Sequence, residues 1–445
     1  MTSPNTTPSS KTVIVVGGGP AGLSCTARLI SYGFRVILIE GRRKLGGRAA
    51  SFLDAESGEF LDLGPHTVIE SNLHFLQYLT QVGTRHLVRF PPTLTIPFVE
   101  PGKRSATFHC PAWRPPYGFL WGLLTFRFLP VIDRWRTIRL GVTLIRGKES
   151  DFSYRSIEEW FNHKRISPVS RKVFWDPLVF AIFNSSPSRI GVQSLAQALR
   201  QGFLAANQRS GLGMPLVDWG HIVVGNLPDQ VNSSGGKVIV GQRVKQLLTE
   251  NGRATGVRLG TGECISADAV VMAIPPQDLA SMLSSIPNWL LPATQFAWSP
   301  IISMHWIGVN PLPINPPIAF FDSPLQWLFA RPTSADQPRV VLSTISGGNR
   351  DLFSLSTVEL SDLLKSEIQK AFPGWIPGEG NRTVSHKIPR ATITIGAGQE
   401  QVRPAQTSDL PGLYLAGDWT DTGLPPTLES AVISGEKAAD QVAKS

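Results

Sequence analysis

Cysteine is scarce in this 445-residue chain: Cys25, Cys110 and Cys264 are the whole complement, odd in number and far apart. That excludes a disulfide framework and a thiolate metal cluster, and it favours a reducing compartment. Charged residues are also few, 17% against 42% hydrophobic, which excludes a disordered chain. No apolar run reaches the roughly 18 to 20 residues that a membrane-spanning helix needs. The first dozen residues are polar and rich in Ser, Thr and Pro, without the basic start and apolar middle of a secretory leader. A disordered tail over 1–12 and a cytoplasmic location, free or peripheral to the inner face of a membrane, are therefore expected. Internal repeats and nucleic-acid motifs are missing as well, so the net charge of +9 points to an anionic surface or simply a basic proteome.

What is present begins with length and texture. A chain of 445 residues exceeds one ordinary core, so two domains, consecutive or interleaved, are expected. Val13 to Val16 reads as a strand, Leu23, Ala27, Leu29 and Ile30 as the apolar face of a helix that Gly33 stops, and Val36 to Ile39 as a second strand. Residues 67–216 are mainly helical in pattern, with a capping box from Ser156 to Glu159 and a helix over Arg171 to Phe183 closed by Asn184. Strands return from Val238, separated by turns at Asn251-Gly252 and Thr261-Gly262. A capped helix over about Ser356 to Phe372, a strand from Leu413 and a last helix from about Thr427 complete the pattern.

The first chemical signal is the glycine turn Gly17-Gly18-Gly19-Pro20-Ala21-Gly22, placed between a strand and a helix. Gly17 permits the tight turn, Gly19 lets backbone approach a pyrophosphate, and Gly22 lets the helix pack on the sheet. Gly17, Gly19, Ala21 and Gly22 are thus expected cofactor contacts. Glu40 closes the second strand at the distance where an acid takes a ribose hydroxyl, which disfavours a 2′-phosphate and leaves FAD or NAD.

A second string follows: Glu40-Gly41-Arg42, then Gly46-Gly47-Arg48. Glycines there give close backbone approach, and the arginine adds a fixed cation beside phosphates. Far downstream, Leu413-Tyr-Leu-Ala-Gly417-Asp418-Trp419 precedes Pro425-Pro-Thr427-Leu428-Glu429 at a helix start. Asp418 at a strand end can accept from a ribityl hydroxyl, and the helix start at Thr427 and Leu428 offers amide donors where a reduced flavin is anionic.

These strings resemble the signatures of the flavin amine oxidase and phytoene desaturase superfamily. The resemblance implies an α/β fold: a Rossmann-like FAD-binding domain with an interleaved α+β substrate-binding domain. It places the first in 13–66, 217–299 and 385–445, and the second in 67–216 and 300–384. It implies FAD contacts from Gly17, Gly19, Ala21, Gly22, Glu40, Arg42, Gly46, Gly47, Arg48, Gly64, Val244, Gly417, Asp418, Thr427 and Leu428. Val244 would meet adenine through its backbone; its other reading is a plain buried strand valine.

Three strings are similar to the hydroxysqualene dehydroxylase family: Asp62-Leu63-Gly64-Pro65-His66, Phe174-Trp175-Asp176-Pro177-Leu178, and Trp419-Thr420 followed by Thr422-Gly423 and Pro425. Leu63, Pro65 and Ser430 depart from the family's usual residues. The implied reaction is reductive loss of an allylic hydroxyl from hydroxysqualene, giving squalene for hopanoid or carotenoid synthesis. His66 is the candidate proton donor, against a structural role bonding backbone or flavin. A carotenoid or phytoene desaturase, a flavin amine oxidase and a non-catalytic prenyl-binding protein are the alternatives. An isoprenoid lipid is the expected substrate, no nucleic acid is expected, and the electron donor is open, because no second dinucleotide turn is visible. No metal site is expected. The stretch from about 113 to 136, aromatic and flanked by arginines, reads either as a peripheral membrane contact or as the core face of two helices.

Overall fold

Five parallel strands form the sheet that carries the glycine turn, in the order Lys237–Val240, Arg35–Glu40, Thr12–Val16, Ala269–Met272 and Leu413–Leu415. The computed structural model describes residues 11–114, 116–148, 152, 155–204, 211–333 and 339–445. Val13 to Val16 is buried on both faces, as an inner strand of a covered parallel sheet must be. Each such buried valine or isoleucine stabilises the fold by roughly 1.5–3 kcal/mol. The strand begins one residue earlier than expected. Thr12 pairs with Arg35, and its amide donates to Asp268 Oδ2 at 2.7 Å, so ladder and side chain together hold a residue assigned to the tail.

One face of this sheet carries helix Pro20–Ser31 packed on the last helix, Leu428–Lys444. A Cβ at Gly435 would lie 2.1 Å from the Ala21 carbonyl oxygen, so the two helices touch backbone to backbone. Helix Leu73–Gln81, expected in the second unit, buries Phe75, Tyr78 and Leu79 in the same core. The opposite face is covered by a three-stranded antiparallel meander over 244–266.

A seven-stranded sheet forms the second layer, in the order Arg382–Thr394, Ala297–Val309, Val340–Gly347, Trp327–Pro332, Ile318–Phe320, Leu94–Glu100 and Arg104–Cys110. Its pairs are antiparallel except Ile318–Phe320 with Leu94–Glu100. The expected boundaries at 299/300 and 384/385 both fall inside its two longest strands, which pair from Ala297 with Thr394 to Ile307 with Arg382. Helix Thr357–Ala371, with its capping box from Ser356 to Glu359, covers one part of the sheet. An aromatic core of helices that includes Phe126, Trp160 and Phe174 covers another.

The single helix expected over Arg171 to Phe183 is two pieces. Arg171–Trp175 is a π-turn, and the α-helix proper is Asp176–Phe183. Pro177 is the cause: it has no N–H for Val173 and its ring crowds that carbonyl, so the chain widens by one residue ahead of it. Asn184 ends the helix at φ 51°, the left-handed cap expected of it.

Candidate functional site

In a parallel sheet all strands point their C-terminal ends the same way, so the turns after Val16, Glu40 and Leu415 emerge along one edge. The glycine turn lies at the centre of that edge. Gly17 has φ +111°, and a Cβ there would sit 2.4 Å from the Ala273 carbonyl oxygen. Gly22 is as constrained, 1.8 Å from the Gly17 oxygen. Helix Pro20–Ser31 starts at Gly19 with no side chain capping it, which leaves its first amides available to an anion.

Glu40 holds the turn in shape: its Oε2 accepts from the Gly18 amide at 2.7 Å and its Oε1 from the Arg42 amide at 2.8 Å. Arg42 contributes backbone here, while its side chain is exposed. The second glycine pair folds onto the first. The Gly46 amide donates to the Gly18 carbonyl at 2.7 Å, and a Cβ on Gly47 would approach Gly19 Cα to 2.8 Å. Val244 starts its strand with a buried side chain in the core beneath, next to Arg243, which packs on Gly41. Its backbone therefore lies at the Glu40 end of the edge, and its side chain is the buried strand valine of the alternative reading.

Across the edge, Arg48 reaches the C-terminal motif. Its Nη2 donates to Asp418 Oδ1 at 2.6 Å, joining residues 370 positions apart. Asp418 follows Gly417, which has φ +147° and would clash with the Trp419 ring if it bore a Cβ. The Gly417 amide donates to Ser434 Oγ at 2.9 Å and Trp419 Nε1 to the Ile274 carbonyl at 3.0 Å, pinning the motif to helix and sheet. Thr427 caps the last helix, its Oγ1 accepting from the Ser430 amide at 3.2 Å, and Leu428 is the first helical residue.

Two groups that the sequence did not single out support this grip. Arg403 is buried and donates from Nη2 to the Asp418 carbonyl at 2.9 Å and from Nη1 to the Leu424 carbonyl at 2.6 Å. Trp298 lies between two guanidinium groups, Arg48 at 5.6 Å and Arg390 at 4.7 Å from its ring centre. Neither sits in a recognisable string, so only spatial proximity reveals them.

The Asp62–His66 loop faces Arg48. Asp62 is buried, with Oδ1 accepting from Ser51 Oγ at 2.8 Å and the Trp219 amide at 2.7 Å; burial raises its pKa to about 6. Gly64 is buried, yet a Cβ there would meet nothing within 4 Å, so open space adjoins it. His66 is half-buried, its carbonyl accepts from Trp219 Nε1 at 2.9 Å, and its Nδ1 has no partner among the described residues. Burial, with Arg48 adding repulsion, pushes its pKa down to about 4. At neutral pH the ring is uncharged and can offer an N–H hydrogen bond, but not the proton of an imidazolium.

No group of His, Cys, Asp and Glu suited to a metal ion occurs among the described residues, and no described helix is long and apolar enough to cross a membrane. The glycine contacts, the uncapped helix start and the open space at Gly64 fit a flavin dinucleotide. Over 97% of its length the chain is similar to known proteins. Hydroxysqualene dehydroxylase of Rhodopseudomonas palustris is 26% identical, with 97% of this chain and 98% of that one aligned. The 15-cis-phytoene desaturase of Narcissus pseudonarcissus is 24% identical over 97% of this chain and 79% of its own. In fold, an oxidoreductase from Methanosarcina mazei superposes with a TM-score of 0.75 at 16% identity, covering 98% of this chain and 100% of that one. The family model of flavin-containing amine oxidoreductases matches residues 20–443, and the chain belongs to that family.

Proposed function

We propose that this chain is an FAD-dependent oxidoreductase acting on a long isoprenoid, and that it removes the allylic hydroxyl of hydroxysqualene to give squalene for hopanoid or carotenoid synthesis. The observation that carries the cofactor reading is the 2.6 Å ion pair of Arg48 with Asp418, which joins the motifs from the two ends of the chain. FAD rather than NAD is supported by that second motif, since a nicotinamide site needs only the first. The isoprenoid is supported by the names of the relatives, a dehydroxylase and a desaturase that both take such chains.

A reduced flavin bound there would supply a hydride, which with one proton would replace the C–O bond by C–H and release water. The glycine turns and the start of helix Pro20–Ser31 hold the pyrophosphate, Glu40 the ribose, and Asp418 and the start of the last helix the flavin end. His66, uncharged, would offer its N–H to the departing hydroxyl, and the proton would come from solvent water. Electrons come from an external reductant. A second reading, phytoene-type desaturation, draws on the desaturase relatives and reverses the direction of electron flow.

Anaerobic incubation of reduced enzyme with hydroxysqualene, followed by mass spectrometry, tests the reaction. Squalene is expected, one per flavin oxidised. Unchanged hydroxysqualene together with double bonds introduced into phytoene by oxidised enzyme would replace the first reading with the second.

A further inference from the structure

Between Trp113 and Trp135 the chain sorts its apolar residues onto two sides. Leu123, Phe126, Phe128 and Leu129 are buried in the aromatic core. Trp113, Tyr117, Trp121, Val131, Ile132 and Trp135 are left 45 to 66% exposed. Two helices carry most of them, Tyr117–Thr125 and Val131–Arg146. Tyr117 and Trp121 lie one turn apart on one face, and the Trp113 ring packs 5.6 Å from that of Trp121. Val131, Ile132 and Trp135 share the first turns of the next helix.

Arg134 brings the two groups together. Its Nη1 donates to the Leu124 carbonyl at 2.6 Å and its Nε to the Leu129 carbonyl at 2.8 Å, so the second helix starts against the end of the first. That arginine is committed inside the protein. Arg114, Arg127 and Arg139 are exposed around the same joint and form no ion pair among the described residues. The one acid between Lys103 and Lys148, Asp133, is buried and accepts from Ser167 Oγ at 2.7 Å. This segment is therefore apolar at the centre of the patch and cationic at its rim, and its described residues present no exposed carboxylate.

Exposed tryptophans of this density need an occupant. A second copy docked on the same face would set arginine against arginine, because a two-fold interface repeats its own charges. We propose that this face is a membrane-docking surface: the aromatic and aliphatic side chains enter the headgroup boundary of an anionic bilayer, and Arg114, Arg127 and Arg139 meet lipid phosphates. The surface stands on its own geometry and not on the identity of the substrate.

Flotation of the flavin-loaded, full-length protein with phosphatidylcholine vesicles, with and without phosphatidylglycerol, tests it at low and high salt. Binding is expected only with phosphatidylglycerol, with release at high salt. Replacing two arginines, Arg127→Gln with Arg139→Gln, lowers partitioning roughly 30-fold. The pair Trp121→Glu with Ile132→Glu abolishes it, while melting temperature and flavin spectrum, and turnover of substrate in detergent micelles, stay as in the parent. No binding, equal binding to neutral vesicles, or undiminished binding by both double variants overturns the proposal. So does a dimer in solution that the Trp121 and Ile132 changes dissociate.

Discussion

Replacing Arg48 with methionine keeps the length of the side chain and removes its charge, which isolates the link between the two motifs. Asp418 is only 6% exposed at its side chain, whereas Arg48 is 36% exposed, so the carboxylate left behind is buried but the lost partner was partly screened. Breaking a fully buried pair costs about 3–5 kcal/mol. A hydrogen bond to a charged group with one exposed partner is worth about 1.5–3 kcal/mol. The second figure applies here, and about 2 kcal/mol corresponds to a roughly 30-fold weaker hold on FAD. Quenching of flavin fluorescence on titration into apoprotein measures it. Arg48→Lys, which restores charge without the paired N–H geometry, should recover part of the affinity. A double-mutant cycle with Asp418→Asn should give a coupling of about 1–2 kcal/mol. Affinity of Arg48→Met within threefold of the parent, together with additive cycle energies, would refute the idea that this pair organises the site.

Three further outcomes follow from the same geometry. Gly22→Ala drives a methyl into the Gly17 carbonyl, with Cβ only 1.8 Å from the oxygen, and should yield protein that neither binds flavin nor melts cooperatively; a yellow, stable variant would contradict it. His66→Ala should stay yellow yet slow turnover by roughly 10², and turnover of the parent should show no ionisation of His66 between pH 6 and 8, because its pKa is about 4. An activity loss in the parent centred near pH 6.5 that His66→Ala abolishes would contradict this and make an imidazolium at His66 the proton donor. His305 is buried, accepts or donates at Ser343 Oγ at 2.8 Å, and has its pKa pushed down to about 3. The unfolded chain then binds a proton that the fold does not, so stability present above pH 6.5 is lost as pH falls from there towards 3. His305→Gln should flatten the decline by one proton, about 1.4 kcal/mol per pH unit in that window, as urea titrations at several pH values would report.

The cofactor edge was legible because its constraints are local. Gly17, Gly22 and Gly47 each occupy a position where a Cβ would strike backbone, so the glycine spacing records the geometry directly. The capping box at Ser156 and the capped helix start at Ser356 were legible for the same reason, since each capping partner lies three residues away. Legibility fails where the reason is tertiary. Pro177 is an interior residue of the helix expected over Arg171 to Phe183 and a local sign that it is interrupted, but the sign does not say whether the preceding residues kink, end or widen into a π-turn. Arg403 and Trp298 carry no motif because their partners, Asp418 and Arg48, are brought to them by the sheet. The protonation of His66 was illegible too, as it depends on burial and on a cation 18 positions away in sequence.

One consequence concerns how the site is assembled. Strand Ala269–Met272 lies between Thr12–Val16 and Leu413–Leu415, so the two motifs cannot meet until the middle of the chain has paired with both. The last helix then closes the arrangement. Ser434 accepts from the Gly417 amide, Gly435 admits the Ala21 carbonyl, and Glu429 accepts from the amides of His74 at 3.1 Å and Phe75 at 2.8 Å at the start of another helix. These contacts tie the last helix to the sheet edge, to helix Pro20–Ser31 and to helix Leu73–Gln81. The flavin site is therefore a property of the whole first layer rather than of the glycine turn. A separation of 370 positions between Arg48 and Asp418 adds a loop-closure cost that the packing of this whole layer must offset.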